Sequence, residues 1–299
     1  MEKFAVTLEN GRTLYGASWP IENPRMHLVV HTGMQEKATR YEGFAKFLNE
    51  NGIDVYVLDA HGQGFNAPTE KHLQLWPEDG FFDSVNAMHQ KIEELKKDGK
   101  PTCLMGHSMG SFMTQSYLET YPNTADKVII MGSNGPAKLL MSMGCFLAKL
   151  TVNKRNWDEP SKFLTNLGLG AYSKAIKDRK TDVDWLSYNE ENVKNYIADP
   201  YLGHTNSKGF WREFLKGMNT LYRKKCLKNI SKDEHVLIVS GDGDPVGNMG
   251  KGPIALGELY KRLGMKDVTV KIYEHMRHEI LNEDNKDVVM NDILEFLNK

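Results

Sequence analysis

Short apolar runs alternate along the chain with longer segments whose apolar residues recur at helical spacing. The runs predict eight strands, at residues 4–8, 13–17, 26–31, 53–58, 102–105, 127–131, 235–240 and 268–273. The longer segments predict helices at residues 41–48, 82–95, 111–121, 254–263 and 288–297. Strands that alternate with helices predict an α/β fold with a mostly parallel central sheet and helices on both faces.

The first two strands differ from the rest because Asn10-Gly11 lies between them. This dipeptide is a strong hairpin signal, since both residues tolerate the positive φ that a tight turn needs. The sequence therefore predicts that the sheet begins with an antiparallel hairpin.

Residues 136–223 break the alternation, because they contain no run that resembles a strand. Three of the five tryptophans lie here, Trp157, Trp185 and Trp211. The other large apolar residues of the segment include Leu139, Leu140, Met141, Met143, Phe146, Leu147, Phe163, Leu164, Leu167, Tyr196, Phe210 and Phe214. We predict a helical lid at 136–223, inserted into a core formed by residues 1–135 and 224–299.

Composition narrows the class of protein. The chain has 299 residues, 38 of them basic and 39 acidic, and this balance favours neither nucleic acid nor another strongly charged partner. Cys103, Cys145 and Cys226 have no metal-ligand spacing, and an odd number is a poor disulfide framework. We expect three reduced thiols, neither a signal peptide nor a membrane span, and a cytoplasmic location.

The most informative motif is Gly-His-Ser-Met-Gly at 106–110. It lies between a predicted strand and a predicted helix, the context of a nucleophile elbow. The sharp turn pushes the Ser108 hydroxyl outward, and Gly106 and Gly110 let the strand and helix pass closely. Ser108 is therefore the candidate nucleophile.

A serine nucleophile needs a base, and the base needs an orienting carboxylate. In this architecture the chain order is serine, acid, histidine. The turn after the strand at 235–240 offers Asp242 and Asp244, and the turn after the last strand offers His275 and His278. Chemistry and chain order alone leave both pairs open.

Attack on an ester carbonyl also creates an oxyanion, which preorganised N–H groups stabilise. Met109 follows the nucleophile at the start of its helix, so its N–H is one predicted donor. The second donor is predicted in the loop after the third strand, at residues 31–35, where Gly33 permits close approach. Met34 is the predicted residue of that loop.

These motifs resemble those of the α/β-hydrolase superfamily, and within it the monoacylglycerol lipase and lysophospholipase group. The resemblance covers nearly the whole chain and includes the elbow at 106–110. It also includes an Asp-x-Pro-Val-Gly-like segment, which assigns the acid to Asp244, and Arg-His-Glu, which assigns the base to His278. The group's His-Gly-Met oxyanion motif, with its later Arg-Tyr, matches residues 32–34 and 40–41.

The chain departs from this pattern at two places. Thr32 stands where the group has a histidine, which puts the side-chain hydrogen bonding of the loop in question but not its backbone donor. The group's Asp-x-Arg-Gly-His-Gly turn reads Asp-Ala-His-Gly-Gln-Gly at 59–64, with no evident catalytic consequence.

The expected function is hydrolysis of a carboxylic ester through an acyl-enzyme, without cofactor or metal. The apolar, Met-rich lid suggests a medium or long acyl chain, and the resemblance implies a monoacylglycerol or lysophospholipid. The expected partner is thus a small-molecule acyl ester, and the lid is a candidate for transient contact with a lipid or membrane surface.

Three alternatives stay open at this point. A serine aminopeptidase or amidase would use the same triad, with an acidic lid residue to hold a free amine. Its candidates are Glu159, Asp182, Asp184, Glu190 and Glu191. An esterase for small esters is the second alternative, and a receptor-like ligand-binding protein with little turnover is the third.

Overall fold

A single eight-stranded sheet organises the computed structural model of the chain. Its strand order is β1-β2-β4-β3-β5-β6-β7-β8. β1 and β2 pair antiparallel, as do β2 and β4, whereas the remaining neighbours are parallel. The strands are β1 (Glu2–Thr7), β2 (Thr13–Trp19), β3 (Met26–His31), β4 (Ile53–Leu58), β5 (Thr102–His107), β6 (Val128–Met131), β7 (His235–Gly241) and β8 (Asp267–Tyr273).

Helices fill the connections between most of the parallel strands. The structure describes residues 1–136 and 138–299, except for side chains at 138–141, so the predicted lid residues Leu139, Leu140 and Met141 lie outside the described side chains. The helices are α1 (Glu42–Glu50), α2 (Gly80–Leu95), α3 (Met109–Thr120), α4 (Lys138–Thr151), α5 (Lys162–Gly168), α6 (Gly170–Ala175), α7 (Glu190–Ala198), α8 (Lys208–Met218), α9 (Lys224–Leu227), α10 (Lys251–Arg262) and α11 (Lys286–Asn298).

The predicted fold class is confirmed, and the eight predicted strands lie within one or two residues of the observed ones. Differences of two residues occur at β1, β2 and β5. β5 runs two residues further because Gly106 and His107 pair with Ile130 and Met131 of β6. Glycine and histidine carry little strand propensity of their own, so here the sheet partner extends the strand.

The core consists of two apolar layers, one on each face of the sheet. All residues of β3, β5 and β6 are buried, as expected for central parallel strands covered on both sides. One layer contains Phe81, Met113 and Tyr260, and the other contains Phe44, Ile293 and Phe296. This rigid sheet presents the carboxyl ends of β5, β7 and β8 along one edge.

The long connection between β6 and β7 holds α4 to α9. Within its described residues, strand-like pairing is limited to an isolated bridge between Pro160 and Ser207. Among the described residues of the whole chain, no helix has both the length and the apolar character needed to cross a membrane. Cys103, Cys145 and Cys226 are free thiols.

Candidate active site

Ser108 occupies a sharp turn between β5 and α3. Its φ of 53° and ψ of −117° lie in a region that residues with a side chain rarely adopt. A Cβ at Gly106 would lie 2.3 Å from the Gly110 carbonyl oxygen, and one at Gly110 would lie 2.3 Å from the His31 carbonyl oxygen. The two glycines are therefore required by close backbone approach, and the turn has the strained geometry of a nucleophile elbow.

Asp244 and His278 meet at the ends of β7 and β8. Both carboxylate oxygens of Asp244 lie 3.0 Å from Nδ1 of His278, and both side chains are buried. Asp244 also accepts hydrogen bonds from the Val246 N–H at 2.9 Å and the Ser240 hydroxyl at 3.1 Å. With Nδ1 held by this carboxylate, Nε2 is the ring nitrogen left for proton transfer.

The two competing candidates lie elsewhere. Asp242 is exposed, one residue after β7. His275 is also exposed, and its ring stacks on Tyr188 with the centroids 4.2 Å apart. Of the candidates in each turn, the structure therefore brings together Asp244 and His278.

The loop after β3 lies against the elbow. A Cβ at Gly33 would lie 3.1 Å from Cβ of Ser108. The Gly33 N–H donates to Oε2 of Glu36 at 2.6 Å, and the Gln35 N–H donates to Oε1 of Gln63 at 2.9 Å. Between these two occupied donors, the Met34 N–H has no hydrogen-bond partner in the described part of the chain.

The Met109 N–H is available for a different reason. Met109 is the first residue of α3, and the first N–H groups of a helix have no partner within the helix. The positive end of the helix dipole adds to the attraction for a negative oxygen here. The structure thus leaves the N–H groups of Met34 and Met109, the two predicted donors, without hydrogen-bond partners among the described residues.

A buried ionic network lies behind these loops. Arg40 binds Glu279 in a bidentate pair, with N–O distances of 2.6 and 2.7 Å, and Asn192 donates to the same carboxylate at 2.7 Å. Burial alone would raise the pKa of Glu279, but the charge and hydrogen bonds of Arg40, with the Asn192 bond, lower it to about 2. Glu279 is therefore a carboxylate at neutral pH.

The network extends to the residue next to the nucleophile. Nδ1 of His107 lies 3.1 Å from Oε2 of Glu36, the oxygen that also accepts the Gly33 N–H. Burial opposes protonation of His107, but the charge of Glu36 prevails and raises the pKa of the imidazole. The elbow motif that contains His107 does not by itself indicate that its side chain pairs with Glu36.

Aromatic side chains from the β6–β7 connection cover the base. The ring of Trp185 lies 5.0 Å from that of His278, centroid to centroid, and Tyr172 packs on Trp185 at 5.4 Å. Trp185 belongs to a buried apolar cluster with Ile176, Leu186 and Val246 among its members. The base thus lies beneath an apolar cover, away from bulk water.

The described residues contain no group of three or more His, Cys, Asp or Glu side chains placed to hold a metal ion. What the arrangement offers is a strained serine, a carboxylate–histidine pair and two backbone N–H groups. These are the parts required for acyl transfer through a serine ester.

Comparison with known proteins extends over most of the chain. Residues 22–285 match the family described as serine aminopeptidase, S33. A monoacylglycerol lipase of Mycolicibacterium smegmatis is 25% identical over 287 residues, which are 96% of this chain and 92% of that protein.

Solved structures of esterases and lipases share the fold. A thermostable carboxyl esterase from Bacillus coagulans, in complex with glycerol, superposes with a TM-score of 0.88 at 25% identity, over 99% of this chain and 97% of that one. A monoglyceride lipase from Saccharomyces cerevisiae, a soluble variant bound to a substrate analogue, gives a TM-score of 0.73 at 21% identity, over 99% and 94%. The latter likeness concerns the fold alone.

Proposed function

Because the chain belongs to the serine aminopeptidase S33 family of α/β-hydrolases, we propose that it hydrolyses acyl esters of the glycerol or lysophospholipid type. As in its lipase and esterase relatives, the enzyme is a serine hydrolase that acts on small-molecule esters. The observation that carries the proposal is the buried pair of Asp244 and His278 at the sheet edge that also holds Ser108.

In the proposed reaction, Ser108 Oγ attacks the ester carbonyl while Nε2 of His278 removes the hydroxyl proton. Asp244 holds Nδ1–H, which fixes the tautomer and stabilises the imidazolium. The carbonyl oxygen becomes negative and accepts hydrogen bonds from the N–H groups of Met34 and Met109. His278 then gives its proton to the leaving alcohol, so the C–O bond breaks and an acyl-enzyme forms.

Deacylation repeats these steps with water as the nucleophile. His278 removes a proton from water as the water oxygen attacks the acyl carbonyl. When the second tetrahedral intermediate collapses, the proton returns to Ser108 Oγ and the free acid leaves. The N–H groups of Met34 and Met109 stabilise the oxyanion of this second intermediate as well.

The choice of substrate rests on the surroundings of the base. The apolar cluster around Trp185, including Ile176 and Val246, favours an alkyl chain over a charged peptide. We propose that residues 136–223 act as a lid over the acyl pocket, with the remaining residues, 1–135 and 224–299, as the core. The similarity to a monoacylglycerol lipase and to an esterase whose structure contains glycerol supports a small alcohol as leaving group.

The family description makes an aminopeptidase the second candidate. An aminopeptidase needs a carboxylate that receives a free amine within the site. Glu159, Asp182, Glu190 and Glu191 are exposed on the surface, and Asp184 already accepts hydrogen bonds from Thr181 and Lys180. This placement favours the ester substrate.

We also propose that the enzyme meets its substrate at a lipid surface. Large apolar side chains of α4 and α5 face solvent, among them Phe146, Leu150 and Phe163. Lys149, Lys154 and Lys162 lie close in sequence and suit an anionic lipid surface. Exposed apolar side chains with basic neighbours are typical of interfacial binding.

A series of p-nitrophenyl esters from acetate to palmitate tests the function. We expect the hydrolysis rate of the wild type to peak at medium or long acyl chains. Ser108→Ala should lower the turnover rate by at least about 10³-fold. Ser116→Ala, a buried serine on the next turns of α3, is the matched control and should retain activity. Turnover restricted to acetate would indicate a small-ester esterase. Absence of turnover on every ester would favour the aminopeptidase or a ligand-binding protein.

A further inference from the structure

Gln63 is a fully buried side chain that makes three hydrogen bonds to the loop after β3. Its Oε1 accepts from the Gln35 N–H at 2.9 Å. Its Nε2 donates to the Gly33 carbonyl at 2.8 Å and to the Glu36 carbonyl at 3.1 Å. Both hydrogens of Nε2 are therefore used in hydrogen bonds to this loop.

These three bonds bracket Met34. One holds the carbonyl of the peptide that contains the Met34 N–H, because the Gly33 C=O and the Met34 N–H belong to the same planar unit. The other two hold the peptides that follow Met34. Fixing the Gly33 carbonyl therefore fixes the direction in which the Met34 N–H points.

The loop needs such support because part of its backbone has an unfavourable conformation. Gln35 has a φ of 59°, in the left-handed region that non-glycine residues adopt at a cost. Loops of this kind relax unless surrounding groups hold them. Within the loop, the Glu36 carboxylate accepts the Gly33 N–H. From outside the loop, the Gln63 side chain, in the turn after β4, holds the loop through the Gly33 and Glu36 carbonyls and the Gln35 N–H.

We propose that Gln63 is a positioning residue that aims the Met34 N–H at the oxyanion; the proposal rests on the ester hydrolysis proposed above. Gln63 stands where the resembling group has a histidine, in the turn at 59–64. A neutral imidazole has one donor and one acceptor, so it cannot reproduce two donated bonds and one accepted bond. Glutamine matches this loop because its amide has all three.

A matched pair of substitutions tests the role. Gln63→Met removes the amide at similar length, and Gln74→Met makes the same change at another fully buried glutamine. Neither amide atom of Gln74 has a partner within the described residues. We expect Gln63→Met to lower kcat by about 10- to 100-fold with KM changed less than about threefold, and Gln74→Met to stay within about twofold of wild type.

A second measurement separates aiming from general destabilisation. An alkyl boronic acid forms a tetrahedral serine adduct whose oxygen occupies the oxyanion site. Its inhibition constant should rise by the factor by which kcat/KM falls in Gln63→Met. Gln63→His, which restores one donor and one acceptor, should recover part of both losses and covers the case in which Gln63→Met fails to fold.

The proposal is overturned if Gln63→Met and Gln63→His keep wild-type kcat and boronate inhibition. It is also overturned if KM rises while kcat is unchanged, because uniform substrate binding would then be the lost quantity. A wild-type protein without serine-dependent ester turnover would instead refute the proposed function. The two failures are therefore distinguishable in one series.

Discussion

The β6–β7 connection contains two regions with opposite relations to the rest of the molecule. The anchored half, residues 184–207, is fastened to the loops that hold the candidate catalytic groups. The apolar half, residues 138–168, packs through α4 mainly on α8 and through α5 mainly on α6, and it turns large apolar side chains to solvent. These side chains, 60–69% exposed, are Met143, Phe146, Leu150, Phe163 and Leu167.

The anchored half is held by buried polar bonds at both of its ends. Glu283 accepts the Ser187 hydroxyl at 2.7 Å and the Tyr188 N–H at 3.0 Å, and Arg277 donates to the Asp184 carbonyl at 2.6 Å. Further along the segment, the Tyr196 hydroxyl donates to the Gln35 carbonyl at 3.1 Å, and Nε2 of Gln35 donates to the His204 carbonyl at 2.6 Å. The segment thus ties the loop that holds His278 to the loop after β3.

The difference shows that one inserted segment can serve two physical purposes. Buried hydrogen bonds and ion pairs are directional, so the anchored half can fix positions to within a bond length. Apolar contact is not directional, so the apolar half can adapt to a surface of variable shape. Substitutions in the two halves should therefore affect different measurements.

The largest loss of stability is expected from Arg40→Met, which removes the guanidinium that binds Glu279 and, in the anchored half, Asn192. The change leaves the carboxylates of Glu279 and Glu36 buried without their guanidinium partner, which typically costs about 3–5 kcal/mol. We expect this loss in urea unfolding, together with a fall in kcat, since Glu279 adjoins His278.

The control for this change is an ion pair near the surface. Lys208→Met breaks the pair of Lys208 with Glu159, whose side chains are 28% and 59% exposed. Because water screens such a pair, we expect Lys208→Met to lower the free energy of unfolding by less than about 1 kcal/mol. Equal losses in the two variants would show that the buried network does not set the stability of the anchored half.

The same network predicts how stability depends on pH. Glu279 has a pKa of about 2 in the folded protein, below its ordinary value of 4.5. The contribution of ionised Glu279 to the free energy of unfolding is therefore complete above about pH 4.5 and is lost as the pH falls toward 2. Urea unfolding at several pH values in this window should show wild type losing stability more steeply than Arg40→Met. Parallel curves would contradict the assignment.

Local signals and covalent order account for the parts of the fold that the sequence predicts. The strands are short apolar runs between turn residues, and Ser108, Asp244 and His278 each follow such a run, so topology brings them to one edge. The choice between Asp242 and Asp244 needed the family resemblance, since both are typical turn residues. Structure adds the reason, which is that only Asp244 turns inward to a histidine.

The network and the Gln63 bonds could not be predicted in the same way. Arg40 and Glu279 are 239 positions apart. Both belong to motifs of the resemblance, Arg-Tyr and Arg-His-Glu, but neither motif indicates that the two side chains pair. In the sequence, Gln63 is only a departure from the group's turn motif. Its three bonds depend on how two loops meet above the sheet, which is a property of packing rather than of periodicity or motif.

The smallest effect on the chemistry itself is expected from the apolar half. The double variant Phe146→Ser/Phe163→Ser removes two exposed aromatic rings, so hydrolysis of a soluble short-chain ester should stay within about twofold of wild type. Full burial of such a side chain in an apolar medium contributes about 1.5–3 kcal/mol, and partial insertion contributes less. We therefore expect vesicle binding to fall about five- to tenfold, measured by co-sedimentation with anionic phospholipid vesicles. Ile254→Ser, an exposed apolar residue of α10, should bind vesicles as wild type does. If the double variant also bound as wild type does, the apolar half would not be the lipid-facing surface, and the two halves would differ in packing but not in purpose.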